Sequence, residues 1–314
     1  MLKLTMAIEN YDRTGALIHG KVNPDGIDPI IISTQSSERH FRMLRNWEFD
    51  VCELSMSSYL MAKDQGLPIV AIPVFPRRLF PHSFIYCNLE AGIREPEDLR
   101  ERRVGIGMYQ VTMAMLAKGF LQHEYGLSPE SIHWVTGREE LLSFEKPENV
   151  RIDRANGDAT LEAMLMKGEI VARVQPDTIP SLESQPQRVR RLFPNFRELE
   201  IQWYRKTGIF PIMHVIALKA EMAERHPWIG HSIMMAFEKA KHLSYEYLKH
   251  PANNSLVWSR TLLEEQGQIL GGDPFPYGLK PNRNAVEQLI QFSYEQGLTK
   301  RRADVDDLFL KLEI

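Results

Sequence analysis

Residues 49–62, FDVCELSMSSYLMA, decide how the rest of the chain is read. Residues 49–54 form a short apolar run centred on Val51, Cys52 and Leu54 and read as a strand. Ser55-Met56-Ser57-Ser58 then supplies turn and N-cap hydroxyls, and residues 59–63 read as a helix. A strand that turns straight into a helix is half of a βαβ unit. The same order surrounds it. Residues 2–8 alternate like a strand, a polar turn at 9–14 leads into a helix-like stretch at 15–19, 27–33 is a strand and 36–46 a helix. Residues 68–75 are another apolar, β-branched run. Strands alternating with helices at this spacing predict a largely parallel sheet in an α/β fold.

The pattern restarts after Asn88. A short helix opens at 97–99, residues 103–106 are a strand, 109–124 have helical spacing with Gly126 as the stop, and 131–135 are a further strand. Asp158 reads as the cap of a helix ending at Gly168, followed by a strand at 169–174. From Pro227, read as a first helical residue, the chain is mostly helical, with Ile229, Ile233, Phe237, Ala240, Ser244 and Tyr247 on one face. A last helix is expected over 282–296, with Gly297 behind it. Two segments can carry the chain between lobes, 83–88 and 208–218. The expected architecture is therefore two α/β lobes around a ligand cleft. Lobe one is discontinuous, residues 1–86 plus 212–314, and lobe two is 87–211.

Composition agrees with an ordinary globular chain: 314 residues, 43% hydrophobic, 25% charged, formal charge −3. Disorder and membrane-span readings drop out, and nothing in the charge balance asks for nucleic acid or an anionic membrane as partner. Cys52 and Cys87 are too few for a disulfide framework and lack zinc spacing, so both are expected as buried thiols. Residues 1–9 are too short and too interrupted for a signal peptide, which places the protein, as read, in the cytoplasm.

In open α/β sheets ligands sit beyond the carboxyl ends of strands, so the turns there are read for chemistry. The turn at 9–14 offers Arg13, whose planar fork suits a carboxylate. Ser55, Ser57 and Ser58 place hydroxyls and backbone N–H groups at a helix N-terminus, where anions bind, and Glu53 lies two residues earlier on the same strand face. Residues 75–82 set Arg77, Arg78 and His82 between Pro76 and Pro81 among aromatic residues, as a pocket lining would. Residues 105–112 are a strand-to-helix turn with Tyr109 and Thr112. Its G-x-G lacks the rest of a dinucleotide fingerprint. His214 stands in an otherwise apolar crossover strand, near the floor of the expected cleft. HExxH, GxSxG and GxxxxGK[ST] are absent.

Residues 37–44, 49–62, 69–88 (IVAIPVFPRRLFPHSFIYCN), 103–109, 204–215 (YRKTGIFPIMHV) and 273–278 together resemble the 4,5-dihydroxyphthalate decarboxylase family, in order and over nearly the whole chain. The resemblance implies a two-lobed fold of the type II periplasmic-binding-protein kind. It also implies loss of one carboxylate of 4,5-dihydroxyphthalate as CO2, giving protocatechuate. Leaving directly from an aromatic ring, CO2 would strand an aryl anion, so the easier route protonates the carboxylate-bearing carbon first. Such a site needs a carboxylate clamp, a proton donor over the ring and a group that handles the phenolic proton. Arg13, Arg77, Ser55, Ser57 and Ser58 are the expected clamp. His82 is the first choice as proton donor and His214 the second, Glu53 is the candidate for the phenol, and Tyr109 and Thr112 are expected to close over the ring from lobe two.

No cofactor is called for and no spacing demands a metal, although folding could still assemble a divalent-ion site. The expected partner is a small aromatic carboxylate. A homo-oligomer stays open, with Trp258, Phe275 and Tyr277 as outward-looking aromatics. Two other readings compete. One is a cytosolic solute-binding or sensor protein for an aromatic acid, without chemistry, since fold alone does not separate binder from enzyme. The other is a thiamin-pyrimidine-synthase-like enzyme, which the lack of a cysteine-rich segment disfavours.

Overall fold

The computed structural model describes residues 1–155 and 160–312. The elements, in chain order, are β1 (Leu2–Ala7), α1 (Asp12–Ile18), β2 (Ile27–Ile32), α2 (Ser36–Asn46), β3 (Val51–Ser55), α3 (Met56–Asp64) and β4 (Ile69–Ile72). There follow β5 (Ile85–Asn88), β6 (Arg103–Ile106), α4 (Thr112–Tyr125), β7 (His133–Thr136), β8 (Arg151–Arg154), α5 (Leu161–Lys167), β9 (Ala172–Val174), α6 (Pro180–Ser184), β10 (Val189–Arg191) and α7 (Phe196–Thr207). The chain ends with β11 (His214–Lys219), α8 (Ala220–Arg225), α9 (Ile229–Leu248), α10 (Ser259–Leu270) and α11 (Arg283–Glu295).

Two compact units result. The first comprises Met1–Arg78, His214–Glu287 and the described residues from Ala303 on; the second comprises the described residues of Leu79–Met213 with Gln288–Arg302. In the first, the strand order is β2-β1-β3-β11-β4. β1 pairs in parallel with β2 and β3, and β11 runs antiparallel between β3 and β4. All five residues of β3 are buried, as expected of a central strand covered on both faces. One face is sealed by Leu4 and Met6 of β1, Val51 of β3 and Ile216 and Leu218 of β11, packed with Ile229, Ile233 and Phe237 of α9.

The second unit carries a six-stranded sheet in the order β10-β5-β9-β6-β7-β8. β6 pairs in parallel with β7 and β9, whereas β5 runs antiparallel to both β9 and β10. Residues 288–302 belong to this unit rather than to the first because α11 reaches α4. A Cβ on Gly119 would lie 2.3 Å from the Phe292 ring, and Gln296 donates to the Met115 carbonyl at 2.8 Å.

Several boundaries differ from the sequence reading for local reasons. The helix read at 15–19 begins at Asp12, with the Tyr11 N–H donating to Thr14 Oγ1 at 2.8 Å. Pro227 precedes α9, which starts at Ile229. Tyr247 lies outside its buried face, 56% exposed. Asp158 lies outside the described residues; Thr160 is the N-cap of α5, accepting from the Ala163 N–H at 3.1 Å. Gly126 and Gly208 end α4 and α7 with positive φ of 67° and 68°, the left-handed geometry that glycine adopts without a Cβ penalty. Trp258 is exposed, but Tyr277 is buried and Phe275 half-buried, so the three do not form one outward face. Both cysteines are buried free thiols, and burial pushes Cys87 up to about 12. Among the described residues no helix is long and apolar enough to cross a membrane.

Candidate active site

The first unit collects its polar side chains at one end of its sheet. Because β11 runs antiparallel to β3, its first residue meets the carboxyl end of β3: His214 is in register with Ser55, and Ile216 with Glu53. Residues in register across strands share a face, and diagonal neighbours lie within side-chain reach. His214 and Glu53 meet on this diagonal, with Nδ1 and Oε1 2.5 Å apart. The same face is apolar farther along the sheet, at Val51 and Leu218. It turns polar only where the parallel strands end.

Glu53 is fully buried, and every partner of its carboxylate is a donor. The Glu9 N–H donates to Oε2 at 2.9 Å, the Tyr11 hydroxyl to Oε1 at 2.7 Å, and Arg39 Nη2 stands 3.5 Å from Oε1. A carboxyl group ringed by donors is ionised. Burial alone would raise its pKa, but the hydrogen bond and charge of His214, the charge of Arg39 and the Glu9 N–H hold it well below the usual carboxylate range. Arg39, also fully buried, is fixed in turn. Its Nε donates to the Glu53 carbonyl at 3.0 Å, and its Nη1 to the Glu9 carboxylate at 3.1 Å and the Thr34 carbonyl at 2.5 Å.

Since Glu53 only accepts, the proton between it and His214 sits on Nδ1, which leaves the Nε2 lone pair of His214 for chemistry. Burial lowers the pKa of His214, the Glu53 hydrogen bond and charge oppose this, and Arg77 and Arg39 add to the lowering. The net direction is down, so the imidazole is neutral at neutral pH. His40 of α2 lies against His214, edge to face at 5.1 Å between ring centroids.

The anion-binding candidates flank this pair. Ser55 Oγ and Ser57 Oγ lie 3.3 Å apart at the start of α3; Ser57 and Ser58 are helical rather than part of a preceding turn, and both are buried. The N–H groups of this first turn are those a helix leaves without intrahelical acceptors. The Arg77 carbonyl accepts from the His214 N–H at 3.3 Å, and Arg77 Nη1 stands 3.5 Å from Ser36 Oγ. Arg13 donates from Nε to the Pro76 carbonyl at 2.5 Å and is sandwiched between the rings of Tyr11 and Phe275, at 4.3 and 4.2 Å. Phe275 is held there by its own loop: Lys241, buried, donates to Asp273 Oδ2 at 2.6 Å and to the Phe275 carbonyl at 3.0 Å.

The remaining sequence candidates fall in the second unit. His82 is not joined to Glu53 and His214. It is packed among Phe80, Phe120, Phe193 and Trp203, with centroid distances of 6.5, 4.0, 5.8 and 6.4 Å, and its Nδ1 has no hydrogen-bond partner among the described residues. Burial alone lowers its pKa to about 4, and no charged group among the described residues acts on it in either direction. The interleaved aromatics read from the sequence as a pocket lining pack directly on the His82 ring. Tyr109 is fully buried, stacked on Phe144 at 5.6 Å and capped by Lys118 Nζ 2.9 Å from its ring centroid, and its N–H donates to Glu140 at 2.6 Å. Thr112 is buried at the first position of α4. Among the described residues no three His, Cys, Asp or Glu side chains converge as metal ligands do.

Sequence reading missed Tyr11, Arg39 and His40. Arg39 and His40 stand on a helix whose other charged residues, Glu38, Arg42 and Arg45, look like a solvated face; their burial is a tertiary fact. Their adjacency within the matched stretch 37–44 was the available signal.

Residues 23–167 match the family model described as NMT1/THI5 like. A 4,5-dihydroxyphthalate decarboxylase of Comamonas testosteroni is 33% identical over 98% of this chain and 96% of its own length. One of Pseudomonas putida is 35% identical over 65% of this chain and 82% of its own length. Among solved structures, the periplasmic aliphatic sulphonate binding protein SsuA of Escherichia coli superposes with a TM-score of 0.62 at 13% identity, covering 99% of this chain and 98% of that one. That likeness shows the fold, a type II binding-protein architecture. Full-length identity at this level shows more: the chain belongs to the 4,5-dihydroxyphthalate decarboxylase family, whose named members are carboxy-lyases.

Proposed function

We propose that the protein decarboxylates a hydroxylated aromatic dicarboxylate without oxidation, 4,5-dihydroxyphthalate to protocatechuate and CO2 being the reaction that the relatives' names indicate. The observation that carries the reading is the buried Glu53–His214 pair at the carboxyl ends of β1 and β3. The pair supplies the acid–base capacity that the reaction needs and that holding an aromatic acid does not require. In this reading Glu53 is not the base for the phenol. Its carboxylate is saturated with donors and too acidic to take a proton, so it fixes the tautomer of His214 instead.

His214 Nε2 then accepts the proton of the hydroxyl para to the departing carboxylate. The oxygen's electron density moves through the ring to the carbon that bears that carboxylate. Arg77, Arg13 and the first turn of α3 hold the substrate's carboxylates; guanidinium forks and helix-terminal N–H groups both favour anions. Mixing the purified chain with 4,5-dihydroxyphthalate and following CO2 tests the proposal. Catalytic CO2 release with protocatechuate as co-product is expected. Stoichiometric binding without product would make this a binding protein.

A further inference from the structure

We propose that His40 is the second proton-transfer residue of this reaction, the one that delivers a proton to the carboxylate-bearing ring carbon while His214 handles the phenolic proton. The inference rests on the decarboxylation reading and supplies what that reading leaves open. Protonating the ring carbon and deprotonating the para hydroxyl happen at opposite ends of the ring, so one imidazole does not serve both. His82, the sequence's first choice, is enclosed by aromatic rings in the other unit.

Among the described charged and titratable residues around His214, one group is left to give a proton. Glu53 is a saturated carboxylate, the Tyr11 hydroxyl donates to it, and Arg39 and Arg77 keep their protons. His40 is 7% exposed, stands edge to face with His214 at 5.1 Å, and its buried Nε2 has no hydrogen-bond partner among the described residues. An orphaned polar nitrogen at this depth is costly and calls for an explanation; unlike His82, which aromatic rings enclose, His40 stands beside His214 and in the field of Arg77, where a bound anionic substrate would supply the partner. The titratable and charged groups that face it are Arg39 on its own helix, His214 of β11, Glu53 of β3 and Arg77 after β4. Burial first, then His214 and Arg39, keep His40 neutral in the free protein. A dianionic substrate on Arg77 offsets that positive field, so arrival of the substrate itself favours charging of His40.

The step balances. His214 takes the hydroxyl proton, the released electron pair moves to the carboxylate-bearing carbon, and that carbon takes the proton of His40. The C–C bond breaks with its pair returning to the ring, CO2 leaves, and His214 returns its proton to the phenolate oxygen. One proton per turnover is restored to His40 from water.

The test follows CO2 release from 4,5-dihydroxyphthalate by the full chain over about pH 5.5 to 9, across the range where imidazoles titrate. Thermal melting serves as the fold check. The wild-type kcat is expected to be bell-shaped in pH. His40→Asn is expected to melt cooperatively, keep KM within about threefold, lose kcat by roughly 10²-fold or more, and lose the alkaline limb of the profile. Full kcat in a folded His40→Asn overturns the proposal and leaves the decarboxylase reading in place. So does a wild-type profile with a single limb, which keeps the question answerable even if the variant does not fold. No CO2 from the wild-type chain removes the decarboxylase reading and the role of His40 with it.

Discussion

His214 and His82 are almost equally hidden from water, 4% and 1% exposed, and burial lowers the pKa of both. They differ in what they touch. His214 is tied by Nδ1 to a carboxylate that the Glu9 N–H, the Tyr11 hydroxyl and the charge of Arg39 hold in place. His82 meets aromatic rings and no polar partner at Nδ1. A perturbed imidazole is therefore a poor marker of chemistry by itself. What sets the two environments apart is the set of charged and hydrogen-bonding groups around His214, Glu53 and Arg39 among them, which His82 lacks among the described residues.

The sharpest way to break this comparison is to exchange the consequences. His214→Asn should lower turnover by about 10²- to 10⁴-fold, the usual weight of a general acid–base group, while His82→Phe keeps it within about threefold. Steady-state CO2 assays on both variants decide; comparable losses would mean that the aromatic enclosure opens to substrate.

The next effect falls on stability. Glu53→Gln removes the negative partner of a fully buried Arg39 and leaves that charge with Glu9 alone. Breaking a buried pair this way costs about 3–5 kcal/mol, readable as a drop in the urea midpoint. A change under about 1 kcal/mol would show that the Arg39 charge is solvated in a way its burial does not suggest.

The smallest effect concerns pH. His82 has a folded-state pKa of about 4, below its ordinary 6.5, so between these values the unfolded chain binds more protons than the folded one. Stability is then full above pH 6.5 and declines as pH falls toward 4, by at most about 1.4 kcal/mol per unit. His82→Phe, which keeps the packing and removes the titration, should lose less stability between about pH 7 and 5 than the wild type. Parallel urea curves at the two pH values test this, and an equal decline in both proteins would assign the acid sensitivity elsewhere.

Much of this was legible in residues 49–62, because a strand running into serines and a helix is written in local pattern and needs no tertiary knowledge. Glu53 followed from strand alternation, and His214 from standing alone in an apolar crossover strand. Arg39 and His40 were not legible as site residues, since α2 looks amphipathic with a charged face and only its packing on β3 buries those two side chains. His82 marks the opposite limit: aromatic residues around a histidine look the same in sequence whether they line a pocket or fill a core. The reach of residues 288–302 into the second unit hinges on one glycine, Gly119, whose missing side chain admits Phe292. Nothing in the periodicity of either helix announces that contact.

The antiparallel strand β11 has a consequence for how the molecule comes into being. Glu53 and Arg39 are made early, and His214 emerges from the ribosome only after 160 further residues separate it from Glu53. Until then β3 and β4 have an unfilled seat between them, two strand edges with open hydrogen-bonding groups, and a buried acid without its base. Long-range closures of this kind come late and slowly. The same insertion that zips the sheet shut completes the Glu53–His214 pair, so under the proposed function a chain cut short of His214 lacks both the closed sheet and its base.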